Sequence, residues 1–343
     1  MWGNRIGWVI AAVVLLFEAA FLYTSVWIQG RATPANAEGR RLATLRTEMP
    51  LPPQRVADWM NGDADGTDLY QRAIDSFVAE RGAEKFNDWW RSWSQTAGRN
   101  LKDPSKWPAP PKLAAIDLVL QAATTQDARV FASRMEQVVT PMLTRDFVEQ
   151  VKALGEACEK IGLSLTARSR SLKTAGKTAE AQNAMREAIR HYQAGFSLGA
   201  RMYAERLVLP ELDAAMDLLR DNATGLAEAY KELGDEAAEK KFREFEAARD
   251  AFYKENILPV MKAINTVDPQ AGNVRLLARE SPERVWRVEA ALALGRVKFS
   301  GKFGDQSEAR RMLRTLQADG DPWVAHAAKV AYEMKIEEFR VIQ

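Results

Sequence analysis

Beyond residue 50, apolar residues recur at spacings of three and four along almost the whole chain, and no stretch alternates with a spacing of two between turn residues. That periodicity predicts helices nearly throughout. The exception to amphipathic patterning is Ile6 to Ile28, a continuous apolar run of 23 residues carrying one formal charge, Glu18. As a helix it would extend roughly 34 Å, enough to cross a hydrocarbon layer of about 30 Å. The expected fold class is therefore all-α: a single N-terminal transmembrane helix followed by an irregular solenoid of helical hairpins, about fifteen helices in all.

Punctuation divides the chain into 1–30 (anchor or long signal sequence), 31–53 (juxtamembrane linker), 54–111 (N-terminal helical subdomain), 112–280 (central hairpins) and 281–343 (C-terminal helices). Within the linker, Glu38 to Glu48 is expected as a brief helix, broken by Met49-Pro50-Leu51-Pro52-Pro53. Asn61-Gly-Asp63-Ala-Asp65-Gly66 copies the start of a calcium-binding helix-loop-helix loop, but Arg72 stands where the bidentate glutamate belongs. The expectation is a turn, with Asp65 or Thr67 capping a helix over Asp68 to Arg81 whose stripe is Leu69, Ile74, Phe77 and Val78. Phe86, Trp90 and Trp93 fall on one helical face with Trp89 beside them. Exposed, Trp89, Trp90 and Trp93 would be a binding platform; buried, they are a packing face, the reading that helical spacing favours. After the proline-rich Asp103 to Pro111, helices are expected at Leu113 to Ala123 and Ala128 to Val139. Long ones follow at Asp146 to Ala175 and Ala179 to Tyr203, turned by Gly176-Lys177-Thr178.

In the second long helix Ala181, Met185 and Ala188 have small-large-small spacing, and Ala227 to Glu244 repeats the theme around Leu233-Gly234-Asp235. This resembles tetratricopeptide-type hairpins, without the aromatic and glycine positions of their first helix. Trp286-Arg-Val-Glu-Ala290-Ala291-Leu-Ala-Leu294-Gly295 and, roughly 38 residues later, Asp321-Pro322-Trp323-Val324-Ala-His-Ala327-Ala328 resemble HEAT-type repeats, over about residues 281–338. The resemblance implies stacked helix pairs with a groove that serves as a surface for proteins.

Trp8, Tyr23 and Trp27 sit where aromatic rings favour a membrane interface. Ala35-Asn36-Ala37 has the small-x-small form of a signal-peptidase site, so two fates stand: a retained single-pass anchor, favoured by the length of the apolar run, or a secreted body cleaved after Ala37. Arg31, Arg40, Arg41 and Arg46 against Arg5 alone would hold the body in the cytoplasm, whereas the export-like segment places it outside. The extracytoplasmic side is the expectation. An ionisable Glu18 at mid-membrane usually faces a polar partner on another transmembrane helix, or stays protonated.

Forty-eight Lys and Arg against 46 Asp and Glu give a net charge of +2, no electrostatic footprint for nucleic acid. Cys158 is the only cysteine, so neither an intramolecular disulfide nor a cysteine metal site is available. His191 and His326 lack metal-ligand spacing and are expected as surface or packing residues. There is no glycine-rich phosphate loop, no Gly-x-Ser-x-Gly and no His-Glu-x-x-His. The sequence therefore designates no catalytic residue, metal or cofactor. The function expected is a membrane-anchored scaffold or accessory subunit binding other proteins, among them transmembrane subunits or a second copy of itself, with lipid contacted through residues 6–28. The alternatives are a helical envelope enzyme acting on polysaccharide through paired carboxylates, and a secreted ligand-binding module.

Overall fold

The computed structural model describes residues 37–99, 104–131, 141–264, 271–300 and 303–335. The predicted span with Glu18, and most of the Ala128 to Val139 segment, lie outside these residues. Among those described, no helix is long and apolar enough to cross a membrane.

The described body is helical. A helical segment at 37–43 leads, after a 3-10 turn at Pro53–Arg55, to twelve helices: α1 (Thr67–Ala79), α2 (Gly82–Arg99), α3 (Ala114–Ala122), α4 (Pro141–Thr174), α5 (Thr178–Glu205), α6 (Leu209–Leu233), α7 (Glu236–Phe252), α8 (Leu258–Ile264), α9 (Ala271–Glu280), α10 (Arg284–Ser300), α11 (Phe303–Leu316) and α12 (Pro322–Glu333). A π-helical turn at Tyr253–Ile257 joins α7 to α8. The hairpin turns follow from local chemistry. At the end of α6, Gly234 takes φ 78°, Asp235 N–H donates to Tyr230 O at 3.0 Å, and the Asp235 carboxylate then accepts from Ala238 N–H to cap α7. Gly176, at φ 76°, makes the corresponding turn between α4 and α5.

The core is centred on α5. From Ala194 to Tyr203 its sequence, AGFSLGARMY, has no polar stripe, and every residue in it is buried. A helix apolar on all sides must be surrounded, and α5 is packed by α4, α6 and α3. The α4, α5 and α6 backbones approach closely because glycines remove the intervening side chains. The Tyr192 ring of α5 lies against Gly162 of α4 and Gly225 of α6, and a Cβ on Gly162 would come within 2.6 Å of that ring. In the C-terminal part α9 packs on α10 and α11 on α12, while α10 also lies against α12 and α9 against α11. Lys298, buried on α10, donates to the carbonyls of Ala331 (2.9 Å), Tyr332 (2.6 Å) and Met334 (2.9 Å), closing the C-terminal end of α12 with a cation where the helix dipole favours one. Buried side chains form one continuous cluster from Leu42 to Ala331.

Two details differ from the periodicity. Gly62–Asp65 is a short strand pairing in parallel with Thr125–Asp127 rather than a free turn. The Asp65 carboxylate is folded onto Thr67, accepting from its N–H at 2.8 Å and its hydroxyl at 2.6 Å, so α1 begins without a side-chain cap. The inward face of α1 is Tyr70, Ala73, Ile74 and Phe77, while Val78 is 49% exposed. Residues 77 and 78 lie about 100° apart around the helix, and a single buried stripe cannot hold both with residue 70.

Candidate functional site

Three regions carry chemistry. The first is the aromatic face of α2. Phe86 and Trp89 are buried, and the Trp89 indole N–H donates to Pro108 O at 3.0 Å, fastening the proline-rich loop to the helix. Trp90 and Trp93 are half-buried and stack on each other, centroids 4.8 Å apart and planes within 10°, with Trp107 edge-on to Trp93 at 5.7 Å. The inward residues are thus Phe86 and Trp89, spaced i and i+3, and Trp90 lies toward the rim. Replacing Trp90 by Ala is expected to cost about 2 kcal/mol or less, because only one stacked pair and a half-exposed ring are lost. Urea denaturation checks this, and a loss above about 3 kcal/mol would place the ring in the core instead.

The second region is the polar ridge where α4, α6 and α7 meet. Asp213, Asp217 and Asp221 follow at four-residue spacing on α6. Asp217 holds Lys152 of α4 at 2.7 Å, Asp221 holds Arg220 at 2.7 Å, and Asp213 accepts from the Tyr253 hydroxyl at 2.6 Å. Arg249 of α7 is only 3% exposed; it donates to Met216 O at 3.0 Å, pairs with Asp250 at 2.7 Å and lies 4.7 Å from the Tyr253 ring centroid. One acid in this ridge stands apart. Among the described residues no hydrogen bond or ion pair engages the Glu159 side chain. It is half-buried, and desolvation with the nearby Asp221 and Glu156 carboxylates pushes its pKa up to about 7, against the opposing pull of Lys160 and Arg220. A carboxyl poised there can exchange a proton at neutral pH.

The third region is the polypeptide just after the predicted span. Residues 37–53, expected as a linker, are built into the body. Leu42, Ala43, Thr47 and Met49 are buried. Leu45 O accepts from the Trp286 indole N–H at 2.8 Å, the Thr47 hydroxyl donates to Glu283, and the Tyr203 hydroxyl donates to Thr47 O at 3.0 Å while accepting from Met49 N–H at 2.5 Å. Arg46 N–H reaches Asn256 Oδ1 at 3.3 Å. The segment is therefore joined to α5, the α7–α8 turn and α10 by both apolar and polar contacts.

Several buried or half-buried charges went unnoticed in the sequence. Arg201, inside the otherwise largely apolar stretch Ala194–Tyr203 of α5, donates to the carbonyls of Thr125 and Gln126 and so fixes the strand Thr125–Asp127; burial lowers its pKa. Glu211 accepts from the N–H groups of Leu207 (2.8 Å) and Val208 (3.4 Å), Glu289 from Leu209 N–H (3.0 Å), and Glu205 from Val130 and Phe131 (3.1 Å to the latter). Three carboxylates thus hold the α5–α6 connection and the strand end beside it. The signal was present, since a single charge inside an unbroken apolar run is expensive unless it is satisfied. His191 is buried, its pKa lowered by desolvation, and Cys158 is buried with its thiol pushed up to about 12. Among the described residues no group of three or more His, Cys, Asp or Glu could hold a metal ion.

Burial raises the pKa of Glu211 well above the ordinary value of about 4.3, reinforced by the Glu205 charge, and burial raises Glu289 in the same direction. Between the unfolded and folded pKa values the native state then holds more protons than the unfolded chain, so stability falls as pH rises through that window. His191 acts oppositely, because its lowered pKa favours folding as pH rises toward 6.5. The carboxyls outnumber it, and the protein is expected to be more stable near pH 5 than near pH 8. Glu211→Gln should flatten that dependence in urea denaturations at the two pH values. An unchanged slope would mean that Glu211 ionises freely.

Compared with protein-family models, with characterised proteins and with solved structures, the chain finds a match in none of the three.

Proposed function

We propose that the protein is a membrane-anchored accessory or scaffold subunit, built as an irregular solenoid of tetratricopeptide- and HEAT-like hairpins, that presents its helical faces to other proteins near the bilayer. One observation supports this reading above the others: from residue 37, only eight residues after the apolar run of 6–28, the chain is built into the body, with Leu42, Thr47 and Met49 in its core. A span so few residues from the core keeps the body close to the membrane, as a scaffold requires, whereas a tethered enzyme works equally well on a long linker. Glu18 is the candidate contact to a partner's transmembrane helix. The paired stacking of α9/α10 and α11/α12 accords with the HEAT-like reading. The test is mass spectrometry of all that co-purifies with a C-terminally tagged chain in mild detergent, together with the mass of its own N-terminus. Stoichiometric membrane-protein partners and an intact Met1 region are expected; a solitary chain beginning at Glu38 overturns the proposal.

A second reading rests on Glu159. A half-buried acid with a pKa near 7 and a carboxylate neighbour, Asp221, is what a helical enzyme acting on envelope polysaccharide would use as proton donor. On that reading Glu159→Gln abolishes release of sugar fragments from purified cell-envelope polysaccharide while leaving thermal stability in place. Equal activity in the variant and the parent, or none in the parent, removes it.

A further inference from the structure

Beside the docked segment 37–48 there is an open cavity of about 610 Å³, within the size range of small-molecule sites, lined by Arg40, Thr44, Arg46, Glu48, Glu280 and Glu283 among others. We propose that it binds a zwitterionic phosphate ester of the kind found in a phosphatidylethanolamine headgroup, the phosphate on the arginines and the ammonium on the glutamates.

The charges carry the assignment. Among the described residues the side chains of Arg40, Arg46 and Glu48 have no hydrogen-bond or ion-pair partner, so two cations and an anion face one cavity. Glu280 pairs with its neighbour Arg279, at 2.5 Å, and Glu283 is oriented by the hydroxyl of buried Thr47. A purely anionic ligand would meet three carboxylates, and a purely cationic one two guanidinium groups. A ligand bearing both signs a few ångströms apart satisfies each set. Arginine forks fit phosphate oxygens in a bidentate manner, and carboxylates accept from a primary ammonium. The cavity is also held in shape. Gly39, Leu42 and Ala43 are buried on the same segment, and Leu45 O is tied to Trp286, so Arg40 and Arg46 are presented from a fixed backbone. The lipid source rests on the anchor reading given above. Nine Cα steps separate Ile28 from Ala37, a reach of at most about 32 Å, which limits how far from the bilayer the body can stand.

The test uses the full chain in a non-ionic maltoside detergent, with native mass spectrometry after addition of phosphatidylethanolamine or phosphatidylglycerol. The parent should carry phosphatidylethanolamine preferentially. Arg40→Gln/Arg46→Gln should reduce that adduct at least tenfold, and Glu48→Gln/Glu280→Gln should shift the preference toward phosphatidylglycerol. All four positions are exposed, and unchanged melting temperatures verify that the variants fold. Equal phosphatidylethanolamine occupancy in the parent and both variants overturns the proposal. Soluble phosphoethanolamine separates the two sources: displacement of the lipid adduct supports the headgroup, and binding of the soluble ester without any lipid adduct assigns the site to the free compound. Carbonate extraction of membranes tests the anchor independently. A chain released by carbonate that still binds phosphoethanolamine loses the anchor and keeps the site, while a retained chain that binds neither loses the site alone.

Discussion

Trp286→Ala is expected to remove about 3–5 kcal/mol of stability and to release the segment that follows the predicted span. Trp286 is completely buried in α10, between Val285 and Val288, and is the largest side chain so enclosed. Its indole N–H is the donor to Leu45 O. Truncation would therefore leave both a cavity and a carbonyl without its partner, and these two costs fall on opposite sides of one contact. Trp286→Phe separates them: it refills most of the volume and deletes only the donor, so about 1–3 kcal/mol should be lost. Hydrogen exchange gives the more specific readout. If Trp286 fastens residues 42–49 to α10, the amides of that stretch should lose protection in the alanine variant more than those of α4. Uniform loss of protection throughout the body would show that the segment has no separate dependence on this residue. The outcome also bears on function. Once residues 42–49 come free, the body hangs on a loose chain, and a scaffold whose faces must be oriented toward the membrane should lose its partners even while α4 to α7 remain folded.

What the sequence made legible was local. Gly176 and Gly234 each mark a helix end because only glycine takes φ near +77° without strain, and both hairpin turns fall where their sequence expects them. The same holds for Asp321-Pro322, where the aspartate accepts from Trp323 N–H at 2.9 Å and proline occupies the first turn. Contacts between distant residues were not legible. Nothing in Met49-Pro50-Leu51 announces that Tyr203, more than a hundred residues on, bonds both to Met49 N–H and to Thr47 O, so a proline-broken stretch reads as linker when it is core. The pairing of Gly62–Asp65 with Thr125–Asp127 is equally non-local, and strands of four and three residues are too short for an alternation to register. Glu159 is a third case. Its sequence context is that of an ordinary helix position, and burial in the fold, with the Asp221 and Glu156 carboxylates nearby, pushes its pKa up to about 7. Periodicity finds elements, whereas a site is made by what the elements bring together.

The approach of α4, α5 and α6 itself rests on glycine, and Gly225→Leu is expected to be among the most damaging single substitutions in the fold. Gly225 is buried on α6, and even a Cβ there would overlap the edge of the Tyr192 ring. The ring is also held elsewhere. The same ring edge meets Gly162 on α4, where an added Cβ would come within 2.6 Å, and its hydroxyl is bonded to Thr166 at 3.2 Å. An added isobutyl group must therefore either push α6 away from α5 or expel the ring, and a loss of about 3 kcal/mol or more is expected, at or beyond the upper end of ordinary overpacking. Gly272→Ala is the control for glycine replacement as such. It lies on α9 with nothing within 4 Å of the position a Cβ would take, and a change of under about 1 kcal/mol is expected, in the stabilising direction. A double-mutant cycle then identifies the cause. Tyr192→Ala alone opens a cavity, but in the Gly225→Leu background it makes space for the new side chain, so the pair should be less destabilised than the sum of the singles by at least about 1 kcal/mol. Strict additivity would mean that leucine at 225 is damaging for some other reason, and that the ring and the two glycines do not set the spacing of these three helices.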